Sequence, residues 1–117
     1  MSSEKQLPNK QIITHNDHRT PIFSYKTQKN TNYLVTIQIS AKNLSKIGGG
    51  VFYQLRRVTN DNNNVTISSA LTNIQNTTIA GSAIMVTISG KNLIIEVVGA
   101  NDTTVQWVAV VDILASN

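Results

Sequence analysis

Two histidines flank His15-Asn16-Asp17-His18, the densest group of side chains in this chain able to bind a metal ion or move a proton. On a helix that spacing would bring both imidazoles to one face. Here Thr14 precedes the group and Arg19-Thr20-Pro21 follows it, so the stretch reads as a loop. A zinc site generally needs a defined third or fourth ligand, and the chain has no cysteine to supply one. We assign no metal and no cofactor. Nucleophilic catalysis needs a base oriented beside the nucleophile, yet both histidines sit in the polar N-terminal stretch. Glycoside hydrolysis needs two carboxylates across a cleft, and of only six acids Asp61, Asp102 and Asp112 read as turn or strand-end residues. Gly48-Gly49-Gly50 lacks the Lys-Ser/Thr and the following helix of a phosphate loop. The glycines suit a flexible turn or a close backbone approach instead. No catalytic residue is assigned, and the chain reads as a non-enzyme.

Binding chemistry is similarly sparse. Stacking on single-stranded nucleic acid wants exposed aromatics beside cations. Tyr53 with Arg56 and Arg57 comes nearest, but Tyr53 shares parity with core candidates and is expected inside. Trp107 is expected inside for the same reason rather than as a sugar platform. Asn43, Asn64, Asn76 and Asn101 begin formal glycosylation sequons, which a chain with 14 Asn and 13 Thr produces by chance.

The elements that must position these residues follow from the rest of the composition. Ile (14) and Val (11) are abundant, while Ala, Leu and Glu are scarce. β-Branched residues fit pleated surfaces and Asn favours turns. At 117 residues there is room for one domain. Charge is uneven: no acid lies between Asp17 and Asp61, where Arg19, Lys26, Lys29, Lys42, Lys46, Arg56 and Arg57 all fall. From Asp61 onward Asp61, Glu96, Asp102 and Asp112 face Lys91 alone. A basic half could meet nucleic acid, an anionic glycan or the acidic half of another copy. No apolar stretch is long enough to span a bilayer as a helix, and residues 1–19 lack the apolar core of a secretory signal.

Those first residues, 1–19, read as an extended arm in which only Gln11-Ile12-Ile13-Thr14 is strand-like; residues 20–117 form the domain. The period there is two. Tyr33, Val35, Ile37 and Ile39 share one face of a strand, as do Tyr53 and Leu55 in Val51–Thr59. Ile84, Val86 and Ile88 follow, then Ile95 and Val97, and finally Val105, Trp107, Ala109 and Val111. Gly90-Lys91 suits a type II′ hairpin. With no helical period, eight or nine short strands mean an all-β, antiparallel sandwich, with a jelly roll expected. Val108, Val110 and Leu114 make the opposite face of the last strand apolar too, which calls for a covering surface such as another copy.

Ser82–Ile113 resembles the closing segment of small β domains in tailed-phage tail, fibre and head proteins and in some giant-virus structural proteins. The matching residues are Ser89, Gly90, Val97, Gly99, Thr104, Trp107, Ala109 and Val111, in the order strand, Ser-Gly hairpin, Val-x-Gly, polar loop and Thr-x-x-Trp-x-Ala-x-Val. Tyr33-Leu34-Val35 and Tyr53-Gln54-Leu55-Arg56-Arg57 resemble earlier strands of that family. The resemblance covers roughly Thr20–Leu114 and implies a jelly-roll-like virion component with a structural or attachment role that assembles as a homo-oligomer, in particular a trimer; the arm lies outside it and is separately expected to contact other virion proteins. It carries over no catalytic residue. A receptor- or glycan-binding attachment module is the alternative, and a nucleic-acid-associated virion protein a third reading that the composition favours less.

Overall fold

The computed structural model describes the backbone of Ser2–Gln6 and all of residues 10–117. Met1 and residues 7–9, which belong to the expected arm, lie outside the described residues. Ten strands follow one another: β1 (Ser2–Gln6), β2 (Lys10–Thr14), β3 (Arg19–Lys26), β4 (Thr31–Asn43), β5 (Gly49–Asp61), β6 (Asn64–Ile67), β7 (Thr72–Thr77), β8 (Ala83–Ser89), β9 (Asn92–Val98) and β10 (Val105–Ser116). No helix occurs among the described residues.

The protein is all-β, and every strand pair is antiparallel. In the larger sheet β1 and β2 pair in turn along one edge of β10; β4 and β5 follow, and β6 and β7 share the far edge of β5. The smaller sheet is β3-β9-β8. The two sheets form a curled, sandwich-like half-barrel around one core. Because β4 and β5 are hydrogen-bonded neighbours in a seven-stranded sheet facing a three-stranded one, the pairing departs from the matched double sheet expected of a jelly roll. The expected arm is paired as well. Ser2 to Gln6 run opposite Ser116 to Asp112, and Lys10 to Thr14 opposite Ala109 to Val105.

Local chemistry explains the corners. Asn62 and Asn63 adopt φ of 53° and 70° between the paired Asp61 and Asn64, so the Asn-rich connector is a tight type I′ turn, a geometry Asn tolerates better than other L-residues. Gly90 takes φ of 61° while Lys91 does not, as the expected type II′ hairpin requires. Between β4 and β5 the Asn43 side-chain oxygen accepts from the amides of Ser45 and Lys46 at 2.8 and 3.1 Å, closing an Asx turn.

The core lies between the sheets. Tyr33, Val35, Ile37 and Ile39 are buried along β4, Ile84 on β8, Ile95 and Val97 on β9, and Val105, Trp107, Ala109 and Val111 on β10. Val86 and Ile88 are only partly buried, since β8 is an edge strand. Ile22 and Phe23 are both buried although adjacent, because the register against β9 shifts between Pro21 and Phe23.

Strand β5 corrects the sequence reading. Tyr53 and Leu55 were expected in the core, but Phe52, Gln54, Val58 and Asn60 are the buried residues. Phe52 packs on Trp107 with ring centroids 5.9 Å apart. Both parities of this strand carry apolar side chains, and the polar residues on the inner one are satisfied by partners distant in sequence. Asn60, fully buried, donates to Thr27 Oγ1 at 3.0 Å and accepts from the Asn63 amide at 2.8 Å. Thr27 Oγ1 in turn donates to the Lys91 carbonyl at 2.7 Å, tying β5 to the hairpin of the smaller sheet. Such fully bonded polar groups can be buried at little net penalty.

Candidate functional site

The side chains singled out for chemistry are dispersed. His15 and His18 are exposed in the turn between β2 and β3. His15 Nδ1 lies 3.2 Å from Thr104 Oγ1, and the His18 amide donates to Asn16 Oδ1 at 2.9 Å. Among the described residues no three His, Cys, Asp or Glu side chains gather closely enough to hold a metal ion. Arg19 and Glu96 form an ion pair at 2.8 Å across β3 and β9, so the basic and acidic stretches meet within one chain there. Trp107 is fully buried, its indole Nε1 donating to Thr14 Oγ1 at 3.0 Å; it is no platform for a sugar ring.

What the fold does assemble is the outer face of the larger sheet. Since cross-strand partners share a face, the registers give the rows directly. One row is Val110, Gln38, Tyr53 and Ile74, and its neighbour is Val108, Ser40, Val51 and Asn76. A third is Asp112, Thr36, Leu55 and Thr72. The two rows led by Val110 and Val108 bound a shallow concavity of about 360 Å³ with no charged lining residue. Val51 and Ile74 are 53% and 57% exposed. Arg57, Asp112 and Lys42 stand at its margins on the same face. Val108, Val110 and Leu114 lie on the face where alternation in β10 placed them. Tyr53 and Leu55 join them there, and the signal for that was the competing parity of Phe52 and Val58.

A second, polar hollow of about 290 Å³ lies among the loops and is lined by Asn43, Lys46, Thr78, Asn101 and Thr103 with Ile79 and two alanines. Among the described residues, two side chains have shifted proton affinities. Burial, then the neighbouring Tyr33 and a hydrogen bond with it, raises the Tyr25 pKa above the ordinary value. Burial lowers that of Arg56.

No known protein family and no curated protein matches the chain. Among solved structures, the Acinetobacter baumannii phage AM24 tailspike protein is similar in fold, with a TM-score of 0.53 at 9% identity over 97% of this chain. The chain spans 26% of that tailspike's length. The Acinetobacter phage vB_ApiP_P1 tailspike protein aligns with 93% of this chain and 21% of its own at 14% identity and a TM-score of 0.43.

Proposed function

We propose that this domain is a non-enzymatic structural part of a phage tail, held in the virion by contact between copies across the outer face of the larger sheet. The observation that carries the reading is that face, where Val108, Val110, Val51, Tyr53, Leu55 and Ile74 gather around the uncharged Gln38 and Ser40 with no charge at their centre. A surface that gathers this many exposed or half-exposed apolar side chains commonly marks an interaction site. A specific interface needs roughly 800 Å² from each partner. The likeness to part of a phage tailspike protein supports a tail location, and a homo-oligomer, in particular a trimer, is the assembly expected. Placing lysines at both Tyr53 and Val110 tests this. Sedimentation velocity should find the unaltered chain oligomeric and the Tyr53→Lys, Val110→Lys variant monomeric with an unchanged circular dichroism spectrum. An unaltered chain that stays monomeric at high concentration and joins no particle overturns the reading.

The polar hollow at the loops favours a second role, attachment to a receptor or host glycan. Its asparagine and threonine side chains, with Lys46 as the one cation, offer donors and acceptors suited to hydroxyl-rich ligands. A glycan array probed with the isolated oligomer discriminates: specific retention that Asn101→Ala abolishes supports attachment, and uniform silence removes it.

A further inference from the structure

The two sides of the sandwich are finished differently. On one side the exposed edge strands are guarded. β3 carries Arg19, Pro21 and Lys26 and a register shift, and β2 carries Lys10. On the other side β7 (TNIQNT) pairs only with β5, and β8 (AIMVTIS) pairs only with β9. Neither contains a charge, a proline or a register shift. These are the devices by which natural sheets prevent an open edge from recruiting another strand. Their absence from one side alone marks that side as a place where a strand is admitted.

A cation lies on β5 just past the point where its pairing with β7 ends. Arg56 points inward from β5 at the interruption between β6 and β7. Its Nε donates to Gln54 Oε1 at 3.0 Å and its Nη1 to the Ser68 carbonyl at 2.9 Å. Gln54 Nε2 reaches Asn73 Oδ1 on β7 at 3.4 Å, which carries the network to the edge. Among the described residues no hydrogen bond engages Nη2, and the only ion pair is the one between Arg19 and Glu96. Burial already lowers the proton affinity of Arg56, as expected of a guanidinium that has lost water without gaining an anion. Held at two corners by neutral acceptors, the fork is pre-oriented for a carboxylate.

We propose that the β7 edge docks an extended acidic segment of another protein, which adds a strand to β7 while its carboxylate occupies the open side of the Arg56 guanidinium. Backbone hydrogen bonds then supply affinity and Arg56 supplies selectivity. The edge borders the outer face discussed above, which shares Ile74 with it, but it offers backbone amides and carbonyls where that face offers side chains, and either can fail without the other.

The probe is a capped peptide, Thr-Val-Glu-Val-Thr, titrated into isotope-labelled full-length chain and followed by amide chemical shifts. Shifts and slowed exchange are expected in Thr72–Thr77. The peptide with Gln in place of Glu should bind about tenfold more weakly, the loss expected for a charge-assisted hydrogen bond. That difference should vanish in Arg56→Gln. If this variant fails to fold, the comparison of the Glu and Gln peptides on the unaltered chain still decides. A peptide N-methylated at alternate amides keeps the carboxylate but cannot pair, and should not bind. Equal affinity for the Glu and Gln peptides overturns the proposal, as does binding by the N-methylated one. Without peptide, concentration-dependent slowing of exchange at the β7 amides that are not bonded to β5 would assign the edge to a second copy and overturn it as well.

Discussion

Trp107 ties strand β10 to strand β2 through a buried hydrogen bond. Its parity in β10 places it inside, and burial forces its indole N–H to find a partner, which Thr14 on β2 provides. Trp107→Ala should lower the unfolding free energy by about 3–5 kcal/mol in chemical denaturation, the range for large aromatic truncations. Thr14→Val keeps the shape but strands the indole donor, and should cost about 1–3 kcal/mol; an unchanged midpoint would mean that water reaches the indole. Tyr25 offers a test by pH. It lies edge-on to Tyr33 with centroids 5.7 Å apart, and its raised pKa means the folded state resists ionising it. Above the ordinary tyrosine pKa of 10.0 the unfolded chain releases this proton first. The stability linked to Tyr25 is therefore present below that pH and is lost as pH rises through the folded-state value. Denaturation midpoints measured on both sides of it should fall in the unaltered chain and fall less in Tyr25→Phe.

Among elements, those with one apolar parity were legible and those with two were not. β4 alternates without ambiguity, and residues chosen by that rule are buried along its whole length. β5 offers Val51, Tyr53 and Leu55 against Phe52 and Val58, and local pattern favours the larger set. The tie is broken by contacts far away in sequence: the Phe52 ring on Trp107, and the partners that Thr27 and Asn73 give to Asn60 and Gln54. Pairwise geometry of this kind leaves no trace in a window of neighbours. The outer face was half legible for the same reason, since Val108 and Val110 declared it from β10 while Tyr53 and Leu55 did not. Turns were easier, because their chemistry is local. At Gly90 a side chain would meet nothing within 4 Å, so Gly90→Ala isolates the penalty of left-handed backbone. It should destabilise by about 1–2 kcal/mol, and a neutral result would require the hairpin to change type.

At the scale of the whole molecule, two strands from the segment read as an arm pair along the larger sheet. Strands β1 and β2 cover the edge of β10, whose apolar residues face both ways, and Ile12 packs against the core. Deleting residues 2–14 should lower the melting temperature and leave β10 as an open, nearly uncharged edge that aggregates. Light scattering during a thermal ramp reads both effects, and a shortened chain that melts and scatters like the full one would make the arm dispensable.

Because Ser2 stands opposite Ser116 in adjacent antiparallel strands, the polypeptide enters and leaves this body side by side. Tension applied through those two points does not shear the sheet. It pulls β1 away from β10 like a zipper, breaking the ladder one rung at a time rather than all rungs together. The body should yield at low force by shedding its first strand, while the core between the sheets stays folded and ready to re-form the pair when the load is released.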